Sequence, residues 1–282
     1  MEWFYEHYKD LSAIGIHVKA QVHEETSPFQ VIKVYDTVGH GRLLTLDDMV
    51  MLTQVDEFVY HDLLCHMPLC AHADPKDVLV VGGGDGGSVR EVLKHPGVRR
   101  VVQCEIDERV TRVCQEFMPS VAGSLTDPRV ELVFADALEY VRAHPASFDA
   151  ILVDSTEPIG PAADLFGRDF FVDLRRALRP GGLISAQTES PFYAADTVRA
   201  VFGVLRSVFS EVHAYYGAIP TYPSGCWTFA LASDVRTPEM IDLSRAGALE
   251  CRYFNAAISR GAFALPEFIR RLVDPQTATA AR

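Results

Sequence analysis

Four acids fall where strands should end, Asp85, Glu105, Asp136 and Asp154, and a fifth, Glu157, follows the last of them. Carboxylates gathered in this way repel one another, so the set calls for a cationic ligand. They accompany a glycine turn in the stretch VLVVGGGDGGSVREVL, where Gly82, Gly84 and Gly87 fit G-x-G-x-x-G. In that turn, backbone N–H groups and a helix N-terminus approach a nucleotide closely. Glu105, one strand later, takes the place of a ribose-binding carboxylate. Asp85 is the informative oddity, because it puts negative charge where a pyrophosphate would sit. A nucleoside carrying its own cation, such as a sulfonium, would instead be attracted. The plainer role for Asp85 is a cap or first-turn acid of the following helix.

Asp136-Ala137 suits an acceptor for an adenine amino group beside a small residue that admits the ring; the alternative is the N-cap of a helix over Ala137–Ala143. Asp154-Ser155-Thr156-Glu157-Pro158 runs into Ile159-Gly160-Pro161, which forbids an immediate helix and makes a loop able to cover a ligand. A second rigid loop, IPTYPSG at Ile219–Gly225, holds Tyr222 between Thr221 and Pro223. Tyr60 and Trp3 are weaker candidates that sequence alone would leave as packing.

Elements that position these residues follow from periodicity. Val78–Val81 is short, β-branched and glycine-bounded, a buried parallel strand. After it come strands at Val98–Cys104, Val130–Phe134, Ala150–Val153 and Leu183–Gln187. They alternate with helices at Glu108–Phe117, Ala137–Ala143, Arg168–Leu178 and Ala195–Phe209, a pattern that specifies a doubly wound, mostly parallel α/β sheet of Rossmann-like type. Gly181-Gly182 after Pro180 reads as a helix stop. Val212–Tyr216 and Trp227–Ala232 have no helix between them, so the sheet should end in an antiparallel pair. Upstream, Asp56–His72 has Phe58, Leu63, Leu64 and Met67 on one helical face. Gln30–Tyr35, Arg42–Leu46 and Met49–Thr53 are strand-like runs split by Gly39, Gly41 and the Asp47-Asp48 pair. The expected division is a small antiparallel β domain over residues 1–55 and a Rossmann-like catalytic domain over 56–282. A frayed tail follows Asp274.

Of 282 residues 48% are hydrophobic and 23% charged, the balance of an ordinary globular chain, with a formal charge of −12. That charge argues against non-specific nucleic-acid binding. The six cysteines, at 65, 70, 104, 114, 226 and 251, form no C-x-x-C pair and no His/Cys cluster at zinc spacing, so they read as reduced core residues. The aromatic, charged N-terminus is no signal peptide, and no run approaches membrane-spanning length; a cytoplasmic location is the expectation.

Together these motifs resemble the spermidine synthase (polyamine aminopropyltransferase) family over about residues 3 to 272. GGGDGG at 82–87, QCEID at 103–107, DA at 136–137, DSTEPIGPA at 154–162, LF at 165–166 and IPTYPSG at 219–225 stand in family order. Methyltransferases share the nucleoside strand arrangement but neither of the two long loops. The resemblance implies transfer of the aminopropyl group of decarboxylated S-adenosylmethionine to a diamine, usually putrescine, giving spermidine and 5′-methylthioadenosine. It implies that Glu105 and Gln30 hold the ribose, Asp136 the adenine and Asp85 the aminopropyl ammonium. Asp154 becomes the acid-base residue, helped by Tyr60, Tyr222 and the backbone of Ser155. Glu157 faces the distal amine, and Trp3 and Gln187 line the diamine end. No metal or further cofactor is implied, and a homodimer or homotetramer is expected.

Two departures bear on the acceptor. Glu157 replaces the family's usual Asp, and Met51 stands where a polar Gln is usual, with Gln54 at a common Glu position. One methylene in a pocket is worth about 1–3 kcal/mol of discrimination, which keeps agmatine, cadaverine and 1,3-diaminopropane open as acceptors. The remaining alternatives are a small-molecule methyltransferase using S-adenosylmethionine, whose extra carboxylate Asp85 should repel, and a non-catalytic polyamine-binding protein.

Overall fold

The computed structural model describes residues 2–8, 10–156 and 164–274. Glu157, the Ile159-Gly160-Pro161 turn and the tail after Asp274 lie outside them.

Five strands form the N-terminal sheet: β1 (Glu2–Tyr8), β2 (Ser12–Thr26), β3 (Val31–Thr37), β4 (Arg42–Leu46) and β5 (Met49–Thr53), each antiparallel to the next. Three of these were expected; the β1–β2 hairpin is an addition. Its alternation is plain in Ile14, Ile16, Val18, Ala20 and Val22, but polar residues fill the other face, which stays largely exposed. Asp47 and Asp48 both adopt positive φ, 50° and 62°, and close the β4–β5 hairpin as a primed turn. One face of the sheet packs on itself through Phe4, Ile16, Leu43 and Val50. Ile32, Val34, Leu44 and Leu52 face the larger core.

The second sheet has seven strands: β6 (Asp77–Gly82), β7 (Arg100–Glu105), β8 (Val130–Phe134), β9 (Phe148–Asp154), β10 (Leu178–Gln187), β11 (Glu211–Ala218) and β12 (Cys226–Ser233). Their order is β11-β12-β10-β9-β6-β7-β8, with the five from β10 to β8 parallel and β12 antiparallel to both neighbours. The chain builds outward from β6 through β7 to β8, then returns to place β9 on the other side of β6. The loops after β6 and β9 therefore diverge, and an open α/β sheet binds its ligand at such a switch point.

Helices α1 (Glu57–Ala71), α2 (Gly87–Leu93), α3 (Glu108–Phe117), α4 (Pro119–Ala122), α5 (Ala137–Ala143), α6 (Arg168–Ala177) and α7 (Ala195–Arg206) are followed by α8 (Leu243–Ala248), α9 (Ile258–Gly261) and α10 (Glu267–Val273). The α6 helix ends at Ala177, before Pro180. Gly181-Gly182 is therefore not its stop but part of an irregularity in β10, where Gly181 has φ +82°. A larger departure concerns α1, expected to be amphipathic. Every residue but Phe58 is buried, because the helix is enclosed between α2 and the strands. Its polar residues Glu57, His61, Asp62 and His66 must therefore find partners inside the protein. No helix among the described residues is long and apolar enough to cross a membrane.

Candidate active site

A cavity of about 430 Å³ opens at the carboxyl ends of β6, β7, β8 and β9 and is roofed by β4, β5 and the residues just before β3. Its floor is the glycine turn. Gly82 pairs with Asp154 across β6–β9, and Gly83 N–H donates to the Asp154 carbonyl (2.9 Å). Both glycines have positive φ, and a Cβ would stand 2.3 Å from the Asp154 carbonyl oxygen at Gly82 and 2.6 Å from Asp154 Oδ2 at Gly83. Close approach of the two strand ends thus requires glycine. A Cβ at Gly84 would stand 3.0 Å from Glu105 Oε2.

Around this floor the structure gathers Asp85, Glu105, Asp136, Ala137, Asp154, Ser155, Gln30, Tyr60, Gln187 and Tyr222. Asp154 Oδ2 accepts from Ser88 Oγ (2.6 Å), and the Tyr60 hydroxyl also hydrogen-bonds its carboxylate. Burial and the facing Asp85 charge push the Asp154 carboxyl above the usual range, against the pull of His61. Asp85 goes the other way. Burial alone would raise it, but the His61 ring (Nε2–Oδ1 3.3 Å) and the Gly87 N–H (2.7 Å) hold it below an ordinary carboxylate. Two carboxyls with opposed shifts make one fixed anion and one proton-exchanging group. Asp85 also accepts the first N–H of α2, at Gly87, but the N-cap position is Gly86 and the first turn holds no acid, so Asp85 is neither the cap nor the first-turn acid of that helix.

Glu105 accepts from the Asp107 N–H (2.9 Å), and burial pushes its carboxyl up to about 7. Asp136 caps α5 through Oδ1, which accepts from Leu138 N–H (2.8 Å), while its side chain still borders the cavity. Gln30 donates from Nε2 to Asp107 Oδ2 (2.9 Å), which ties β3 to the start of α3.

One expectation, Trp3, needs correction, and two residues that do line the cavity, Gln187 and Tyr222, already have partners. Trp3 does not line the cavity: it points to the open face of β1, where it stacks on His17 at 5.0 Å and remains 52% exposed. Glu6, on the same strand, does reach the cavity, and its Oε2 accepts from the Val50 N–H (2.9 Å). Gln187 borders the cavity, but its amide is saturated. It donates toward the Ser155 and Thr156 carbonyls (3.2 and 3.4 Å) and accepts from Trp227 Nε1 and Glu189 N–H, so it positions the Asp154 loop. Tyr222 donates its hydroxyl to the Met51 carbonyl (2.7 Å), not to Asp154, and packs its ring on Tyr60 and Trp227.

Sequence reasoning missed His61, Ser88, Glu6 and Asp56. His61 had a local signal, four residues after Glu57 on one helix; its Nδ1 lies 2.6 Å from Glu57 Oε2. Asp85 and Glu57 raise the imidazole well above its usual pKa despite its burial, so it is a cation beside Asp85. Asp56 does not cap α1. Its Oδ1 accepts from Thr53 Oγ1, and its Oδ2 from the Thr221 N–H and Oγ1.

Fold and site together define a Rossmann-like enzyme with an acid-rich cavity at the switch point of its sheet. More narrowly, the chain belongs to the spermine/spermidine synthase family: the family's spermine/spermidine synthase domain matches residues 57–242, and its spermidine synthase tetramerisation domain matches residues 2–54. It is an enzyme of the spermidine synthase-like aminopropyltransferase class. Among similar proteins, the polyamine aminopropyltransferase of Thermoanaerobacter sp. (strain X514) is 42% identical over 272 residues, 96% of this chain and 98% of that one. That of Moorella thermoacetica is 40% identical over 272 residues, 96% of each. The chain superposes on a spermidine synthase crystallised with the transition-state analogue AdoDATO with a TM-score of 0.95 at 34% identity, covering 96% of this chain and 94% of the other. For spermidine synthase from Thermotoga maritima the TM-score is 0.92 at 33% identity, with the same coverage.

Proposed function

We propose that this protein transfers the aminopropyl group of decarboxylated S-adenosylmethionine to putrescine. The observation that carries the reading is the opposed pair Asp85 and Asp154 facing each other over the glycine turn. Glu105 and Gln30 take the ribose, Asp136 and Ala137 the adenine edge, and Gly82 and Gly84 let the backbone lie against the nucleoside. Asp85 takes the aminopropyl ammonium. Glu157 is assigned to the distal amine of the diamine.

An alkylamine with a pKa of about 10.4 costs roughly 4–5 kcal/mol to deprotonate at pH 7. Asp154, a stronger base than an ordinary carboxylate, takes that proton and, with Tyr60 and the Ser155 carbonyl, aims the lone pair. The nitrogen then attacks the propyl carbon next to sulfur. A C–N bond forms, the C–S bond breaks, and its electron pair returns to sulfur as the neutral thioether of 5′-methylthioadenosine. The donor is a co-substrate and brings its own leaving group, so the scheme needs no covalent enzyme intermediate. Assembly into a homodimer or homotetramer through β1–β5 completes the reading; nucleic acid and membrane have no part in it, and a cytoplasmic location suits it.

Mass spectrometry of products from putrescine, cadaverine, agmatine and 1,3-diaminopropane tests it, with Asp154→Asn alongside. Spermidine that collapses in the variant is expected. A different acceptor winning moves the assignment to Glu157 and Met51, and methylated product from S-adenosylmethionine itself overturns the reading in favour of a methyltransferase.

A further inference from the structure

Behind the cavity, α1 and α2 meet the segment between α8 and α9 at a polar cluster that the proposed chemistry does not use. His66 is fully buried there, with Nδ1 3.0 Å from His95 Nε2. Its Nε2 lies 3.0 Å from Glu91 Oε2, 3.1 Å from Cys251 Sγ and 3.7 Å from Asp62 Oδ1. Asp62 is also fully buried. Its Oδ2 accepts from the Tyr253 and Phe254 N–H groups, whereas Oδ1, aimed into the cluster, has no hydrogen bond among the described residues. A single ring N–H cannot satisfy a carboxylate, a thiol and a second carboxylate at once.

One nitrogen, one sulfur and two oxygens, all within 4.8 Å of one another, make a different kind of set. Tetrahedral zinc holds N and O at about 2.0–2.2 Å and S at about 2.3 Å, which puts ligand atoms roughly 3.3–3.6 Å apart. The separations of 3.0, 3.1 and 3.7 Å from Nε2 straddle that range. The geometry points to a binding site for a zinc-class divalent cation formed by Asp62, His66, Glu91 and Cys251. The residues are too scattered along the chain to show zinc spacing, which is why the sequence implied inert cysteines.

The surroundings suit an ion. His66 Nδ1 can donate to His95 Nε2, a hydrogen bond that would fix the ring with Nε2 toward an ion, as an outer-shell acceptor does for a metal-bound imidazole. Three anionic ligands would be balanced by the ion together with Arg90, 2.7 Å from Glu91 Oε1, and Lys94, which shares Oε2 at 2.5 Å. Cys251 is only half-buried and gives a route from solvent. A bound ion would clamp residues 249–254 onto the helices that carry Tyr60, His61 and Ser88.

Cobalt(II) titration of the full-length, chelator-treated protein tests this. A thiolate-to-cobalt charge-transfer band that saturates at one equivalent and is bleached by zinc is expected. His61, Asp85 and Asp154 also converge, but they offer no sulfur, so the band reports on the rear cluster alone. Cys251→Ser should abolish the band and weaken zinc binding by more than about 100-fold, and His95→Gln by about tenfold. Cys226→Ser, at the other half-buried thiol, should keep it. Absence of the band in the wild-type protein overturns the site whatever the variants do, as does unchanged zinc affinity in folded Cys251→Ser.

Discussion

One helix, α1, supplies two buried polar clusters a turn apart, and they behave in opposite ways. His61 turns toward Asp85 and Asp154, where the cavity leaves carboxylate lone pairs free for a ligand. His66 turns inward to Glu91 and Cys251, with Arg90 and Lys94 closing the ring. Both clusters mix histidine with acids, and a list of residue types would not separate them. Access separates them: the first opens on the cavity, where Asp85 and Asp154 face each other, and the second is enclosed between α1, α2 and the segment that carries Cys251. The open cluster suits an organic cation that arrives and leaves, and the enclosed one an ion that stays.

Substitutions on the two sides should therefore move different observables. The largest expected effect is Asp154→Asn, which should lower 5′-methylthioadenosine formation by about 10²–10⁴-fold while leaving thermal stability unchanged or raised, since it removes a repulsion with Asp85. A parallel loss of stability would erase the contrast. Glu91→Gln should do the reverse, costing about 3–5 kcal/mol in urea unfolding with turnover per folded molecule intact.

Glu105 sharpens the comparison through pH. Its carboxyl, at about 7 in the folded protein, sits above its unfolded value. The folded state thus holds that proton more tightly, and the stability this contributes is lost as pH rises from about 4.5 through about 7. Glu105→Gln should flatten that limb in calorimetry of the ligand-free protein. The carboxylate is the form that accepts ribose hydroxyls, so donor affinity in the wild type should fall about tenfold per unit below pH 7. A flat donor-binding profile would remove Glu105 from the ribose. Tyr222→Phe should have the smallest effect, about 1 kcal/mol of stability and less than tenfold in rate, because its hydroxyl already serves Met51.

What could be read in advance follows from range. Asp85, Glu105, Asp136 and Asp154 were legible because each ends a strand, and βα alternation places strand ends together without knowledge of side-chain packing. The antiparallel end of the large sheet was legible for the same reason. His61, Ser88 and Glu6 were not, since each depends on which helix or strand is packed against the glycine turn. Trp3 was misplaced for lack of facing information, which a motif does not carry. The cluster of Asp62, His66, Glu91 and Cys251 needs contacts spanning most of the chain, and its one local trace is the pair Asp62 and His66, four residues apart on α1.

Asp56 stands one residue before α1, yet it grips Thr221 at the far end of the sequence, and Tyr222 is pinned in turn to Met51 on β5. The tyrosine loop is covalently part of the seven-stranded sheet but is fastened at two points elsewhere, to β5 through Met51 and to Asp56 at the start of α1. Mechanically, that wall of the cavity is a splint across the two sheets, since the Tyr222 ring also packs on Tyr60 of α1 and Trp227 of β12. The joint near residue 55, a single crossing of the chain, is thereby doubled from the other side of the cavity.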